Sequence, residues 1–175
     1  AKATPVAIER DDKSREAQSP SGQRLKIEVS EDGFSTETEF NDAGLPIAER
    51  IKDESGTVKQ ETSTIYFGAT ATPPLTRARP FYIYTSDDAT KDIFEYEPLA
   101  SGGEKIIVTD SVRQTKTEAH YDAYGRKTRE IVTADGQTLA DETFGYDAVG
   151  RLAYHSRTQS GLGNVVKRFS YDAMG

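Results

Sequence analysis

The stretch Tyr121-Asp122-Ala123-Tyr124-Gly125-Arg126 recurs as Tyr146-Asp147-Ala148-Val149-Gly150-Arg151. At the same interval again it begins a third time, as Tyr171-Asp172-Ala173-Met174-Gly175. One interval upstream stands Tyr96-Glu97-Pro98-Leu99-Ala100, a decayed copy. A fixed period within the range of about 20–50 residues marks a repeat architecture, in which each repeat is one supersecondary unit.

The residue types explain the spacing. An Asp at the head of a type I turn accepts backbone N–H groups with its carboxylate. A Gly three places on tolerates positive φ. Together they close a three-residue β-hairpin with a G1 bulge. The motif therefore reads as a hairpin loop, with Tyr ending the strand before it. The Asp residues are expected to form turns and not to act as acids or ligands.

Outward from the motif, polar and apolar residues alternate with period two, the signature of half-buried strands. Thr115, Thr117, Ala119 and Tyr121 alternate with polar neighbours, and Val165, Lys167, Phe169 and Tyr171 are expected on one face. Ile106-Ile107-Val108 reads as a buried strand. Upstream, Leu25, Ile27 and Val29 define a strand with one buried face. The turn Glu31-Asp32-Gly33 leads to Phe34, Thr36, Thr38 and Phe40, alternating with Ser35, Glu37 and Glu39. Phe40-Asn41-Asp42-Ala43-Gly44 occupies the motif register, and Tyr66 follows Phe40 by nearly the same interval. Pro73-Pro74 and Pro80 exclude a central strand between them. Phe81-Tyr82-Ile83-Tyr84 is a short aromatic strand. No stretch carries an apolar stripe at helical spacing. The expected class is all-β. Four stretches are expected: a poorly defined 1–23 with a solvated charge run from Glu9 to Glu16, degenerate hairpins over 24–68, a Pro-rich insertion over 69–95, and the repeats proper over 96–175.

Composition limits the function. The chain has 175 residues, 35% hydrophobic, with mean hydropathy −0.67. Nine Tyr and seven Phe argue against disorder. A net charge of −7 leaves no electrostatic footprint for nucleic acid. With no Cys, thiolate nucleophiles and Cys metal sites are excluded. No apolar run approaches the roughly 20 residues of a membrane-spanning helix. The chain starts at Ala1 and stops inside a motif copy, and is read as part of a longer protein.

Tyr-Asp-x-x-Gly-Arg at this period resembles the RHS/YD-repeat family. The likeness is carried by Tyr121, Asp122, Gly125, Arg126, Tyr146, Asp147, Gly150, Arg151, Tyr171, Asp172 and Gly175, with Tyr96 in the decayed copy. The family includes bacterial polymorphic toxins, the B and C subunits of insecticidal Tc toxin complexes, and animal teneurins. The resemblance implies an extended, spiralling sheet that forms a hollow shell around a toxic polypeptide. Neighbouring repeats, the enclosed cargo and other toxin-complex subunits would be its partners, and its location would be secreted or extracellular. The family's Asp-Pro-x-Gly-Leu self-cleavage motifs have no match here, so no catalytic residue is carried over. The absence of Cys makes a bacterial piece the better match than a teneurin piece. An extracellular module binding carbohydrate or protein is the other reading.

Other chemistry finds little support. His120 and His155 are not at metal-ligand spacing, and His120 reads as a solvent-facing strand residue. A carboxylate pair for glycoside hydrolysis needs two acids across a cleft, whereas the acids here fall in turns or on alternating exposed positions. Gly161-Leu162-Gly163 is too short for a phosphate loop. The Tyr96, Tyr121, Tyr146 and Tyr171 stripe can stack sugars, or pack along the sheet over the hairpin joints. Neither a cofactor nor a catalytic group is called for.

Overall fold

In a computed structural model of the chain, residues 8–9, 14–68 and 78–172 are described. They form fourteen β-strands and no helix. No helix is therefore long and apolar enough to cross a membrane, which says nothing of strands. Two compact units emerge, and their described parts divide between Lys91 and Asp92.

The first unit is an antiparallel meander. Its strands are β1 (Ile8–Glu9), β2 (Ser14–Gln18), β3 (Arg24–Val29), β4 (Ser35–Phe40), β5 (Pro46–Lys52), β6 (Val58–Tyr66) and β7 (Pro80–Thr85), each paired with the next. Pro46 and Pro80 stand at strand starts, where a missing N–H is tolerated. Part of the charge run is strand and not loop: Ser14, Arg15 and Glu16 pair with β3. Arg24 lies within 3.9 Å of Glu16, so the charges are matched across the ladder. Pro73 and Pro74 lie outside the described residues.

The second unit repeats the pattern with β8 (Lys91–Pro98), β9 (Glu104–Asp110), β10 (Thr115–Tyr121), β11 (Lys127–Ala134), β12 (Gln137–Tyr146), β13 (Leu152–Gln159) and β14 (Gly163–Arg168). Each pairs antiparallel with its sequence neighbour. Asp135 and Gly136, at φ 50° and 73°, close the two-residue turn between β11 and β12. Positive φ at both central positions is what a type I′ hairpin requires.

Burial in both units is shallow. No described side chain is less than 2% exposed, and the core is Leu25, Ile27, Ala48, Tyr96, Ile107 and Ala119. Val29 is 42% exposed, and of Ile106-Ile107-Val108 only Ile107 is buried. Strand ends and single-layer packing leave these neighbours half covered. Phe169 and Tyr171 lie beyond the end of β14 and are exposed, so the expected four-residue face is not one strand.

Hairpin register puts acids on the covered face. The loop between β3 and β4 fixes Leu25 opposite Glu39 and Ile27 opposite Glu37. Glu39 is 8% exposed, against the expectation that such acids alternate outward. Ser21 Oγ donates to Glu39 at 2.8 Å and Arg50 Nη1 lies 3.1 Å away. Hydrogen bonds from Ser19, then Ser21 and Arg50, outweigh the effect of burial and hold the Glu39 carboxyl below its ordinary range. Lys52 pairs with Glu37 at 2.6 Å. In the second unit Ile107 stands between Glu95 and Glu118, and Ile131 between Glu118 and Asp141. Lys116 holds Glu118 and Arg129 holds Asp141.

Candidate functional site

The repeat motif builds one local structure. At Asp122 the backbone N–H donates to Arg126 C=O at 3.0 Å, and Gly125 N–H donates to Asp122 C=O at 3.0 Å. Gly125 has φ 75° and Gly150 φ 88°, in the left-handed region that glycine enters without a side-chain clash. Asp122 Oδ1 accepts the Tyr124 and Arg126 N–H groups. A register shift falls between His120 and Tyr121, the expected bulge. Asp147 does the same with Val149 and Arg151.

Arg carries the motif beyond its own loop. Asp122 Oδ2 accepts Arg126 Nε at 2.8 Å and lies 2.7 Å from Nη2, a two-pronged pair. The held guanidinium lies over the Tyr146 ring, 4.7 Å from its centroid. The Tyr146 hydroxyl donates to Lys127 C=O at 2.7 Å, closing the circuit on the residue after Arg126. The next copy repeats it: Asp147 Oδ2 accepts Arg151 Nε at 2.8 Å, Arg151 lies 4.4 Å over Tyr171, and Tyr171 donates to Leu152 C=O at 2.8 Å. Each clasp joins the loop of one repeat to the closing Tyr of the next. A net hydrogen bond contributes about 1 kcal/mol and a partly exposed cation–π contact about 0.5–1 kcal/mol. Burial opposes ionisation of Asp122, but the Arg126 side chain, the Arg126 and Tyr124 amides and the Arg126 charge outweigh it and lower its pKa. The Arg151 side chain first, then the Arg151 amide, lowers that of Asp147.

The degenerate copies keep parts of this device. Asn41 Oδ1 accepts the Ala43 and Leu45 N–H groups, replacing the Asp in its backbone role. Tyr66 donates to Pro46 C=O at 2.7 Å, in the place of Tyr146 on Lys127. Arg24 lies 4.2 Å over the Phe40 ring, a stack without the hydroxyl. Tyr96 departs from its period: the loop of its copy runs from Leu99 to Gly103, later than the alignment with Glu97 places it. Tyr96 sits inside β8, 7% exposed, opposite Ile106. Asp172 closes the described residues, and Gly175 lies outside them.

The Tyr stripe thus rests on Arg and carbonyl partners at Tyr146 and Tyr171. The Arg role was missed in the sequence, although the spacing from Arg126 to Tyr146 equals that from Arg151 to Tyr171. His120 is half-buried, in register between Lys105 and Arg129, and its Nε2 is covered and has no hydrogen-bond partner among the described residues. His155 stacks on Phe144 at 4.7 Å and bonds Glu142 at 2.8 Å. Among the described residues no group of three His, Cys, Asp or Glu converges to hold a metal.

No protein-family model matches the chain, and no curated protein matches it. Among solved structures, the crystal structure of a porin-like protein from Bacteroides uniformis ATCC 8492 is similar with a TM-score of 0.43 and 11% identity, over 93% of this chain and 92% of that one.

Proposed function

We propose that this chain is a non-catalytic section of the wall of an RHS/YD-repeat shell that encloses a toxic polypeptide in a bacterial secreted toxin. The observation that carries this reading is the Asp–Arg–Tyr clasp, built twice with the same partners one repeat apart. A clasp that joins each repeat to the next suits a sheet extended by repetition, whose units are stabilised by their neighbours. The shallow core and ion-paired faces suit a thin wall with water on both sides. Neighbouring repeats, the cargo and further toxin subunits are the partners. Limited proteolysis of the intact parent tests the reading: the cargo survives in the parent and is digested when isolated. Equal digestion rates contradict it. The purified chain is expected to hydrolyse neither glycosides nor peptides.

A second reading is an extracellular binding module. It is favoured by Tyr82 and Tyr84, whose rings stack at 5.4 Å beside the exposed Ile65. Retention on a glycan array that is lost on Tyr84→Ala supports this module over the wall.

A further inference from the structure

Like charges stand opposite one another at the start of β8. Asp92 pairs in register with Asp110 of β9, and directly opposed residues of an antiparallel pair have their Cβ atoms about 5 Å apart. Other acids of the second unit meet cations across the ladder. Glu97 faces Lys105 in register and pairs with it at 2.7 Å, and Arg129 pairs with Asp141.

The two carboxylates have unequal surroundings. Asp110 Oδ1 accepts the Val112 and Arg113 N–H groups, each at 2.9 Å, and Oδ2 accepts Arg113 Nη1 at 2.6 Å. These bonds, led by the Arg113 amide, outweigh the effect of burial and hold the Asp110 carboxyl below its ordinary range. The half-buried Asp92 side chain has no hydrogen bond or ion pair among the described residues. Burial first, and the Asp110 charge second, raise its carboxyl above the ordinary value against the pull of Arg113, which is itself committed to Asp110. The neighbouring groups bring no relief. β10 sets uncharged Thr115 opposite Asp110. Lys91 pairs with Asp88, and Asp87 accepts the Ala89 amide. β7 carries no acid, Lys, Arg or His, and its titratable residues are Tyr82 and Tyr84.

We propose that Asp92 and Asp110 make the start of β8 an acid-tightened joint: a proton taken up by Asp92 seats this end of β8 on β9, and its loss loosens it. The N–H donors that pin Asp110 keep it ionised, so the proton resides on Asp92. The folded pKa of Asp92 lies above the unfolded value of about 4. The repulsion is therefore fully present above the folded pKa, and is relieved as pH falls through it towards the unfolded value. This response runs opposite to that of Asp122 and Asp147, whose folded values are lowered. The inference does not depend on the container reading.

Carboxyl-carbon NMR of the whole chain across the acid range tests it. Asp92 is expected to titrate above about 4 and Asp110 below that value. Amide protection at the start of β8, corrected for intrinsic exchange, is expected to rise with the protonated fraction of Asp92. Asp92→Asn removes the charge and keeps the shape. At neutral pH its unfolding constant is expected to fall about twofold to fivefold below that of the wild type, the range of a cross-strand pair. That gap is expected to close as wild-type Asp92 gains its proton. Asp110→Asn is expected to lower the Asp92 midpoint. An Asp92 midpoint at or below about 4 overturns the proposal, and this wild-type titration decides the matter if a variant misfolds. A gap between Asp92→Asn and wild type that is equal at every pH also overturns it, and assigns the effect to packing. So does an Asp92 midpoint unmoved by Asp110→Asn, which assigns the shift to burial alone.

Discussion

The loop at Leu99 and the loop at Asp122 share a backbone path and differ in what they hold. Both close with the N–H of the first residue on the fifth carbonyl and the N–H of the fourth on the first. Both place a Gly at positive φ in the fourth position, Gly102 at 88° and Gly125 at 75°. Asp122 then accepts two loop amides, while Leu99 has no side-chain acceptor. The fifth residue decides the rest. Arg126 reaches Tyr146, whereas Gly103 leaves Tyr121 without that partner. Gly103 instead lies so close that a Cβ would meet Tyr121 O at 1.9 Å. The fold of the hairpin needs only the turn, and the coupling between repeats is a separate property that the Arg adds.

The largest expected effect breaks the Leu99 side of this comparison. Gly103→Ala should destabilise by roughly 3 kcal/mol or more, because the new Cβ strikes backbone that cannot yield without moving the β9–β10 pairing. A denaturant midpoint within error of wild type would remove the close approach from the account. Gly125→Val and Gly150→Val come next, at about 1–2 kcal/mol, from forcing a β-branched residue into positive φ. Nothing lies within 4 Å of a Cβ at Gly125, so the cost there is conformational alone. Ala123→Val and Ala148→Val should cost less, and equal tolerance at all four positions refutes the turn geometry.

The coupling itself is smaller. Arg126→Ala and Tyr146→Ala should each cost at least about 1 kcal/mol, and a double-mutant cycle on the two should show interaction of about 0.5 kcal/mol or more, since only loss of the ring removes the stack. The same cycle on Arg126 and Tyr121 should show none, since Tyr121 lies outside the clasp. Arg126→Lys should not restore the coupling, because an ammonium has no flat face to lay on the Tyr146 ring while its N–H groups hold Asp122 Oδ2. The smallest effect is that of pH. The folded pKa values of Asp122 and Asp147 are lowered, so their contribution is present above the unfolded pKa of about 4 and is lost as pH falls through the folded values. Asp122→Asn with Asp147→Asn should flatten the acid limb of a stability–pH curve. An unchanged limb would show that these carboxylates are not linked to folding.

The hairpins were legible because Asp, Asn and Gly act on their own backbone within a single loop, and period two needs no partner to be read. What lay across strands was not. Glu37 and Glu39 look outward-facing in isolation, and only the β3–β4 register puts them beside Ile27 and Leu25. Their counter-charges, Lys52 and Arg50, arrive from β5, on the far side of a hairpin loop. The unit of coupling was hidden for the same reason: Arg126 and Tyr146 meet only after β11 and β12 have paired. Tyr96 misled in the opposite way, since the numerical period holds while the loop slides along to Leu99.

An electron-microscopy density map of the intact parent protein tests the central claim most directly. The proposed shell requires a closed hollow particle whose wall is a single layer of strands, with this segment in the wall and separate density for a polypeptide inside. A solid particle, or an open array of repeats with nothing enclosed, would contradict it.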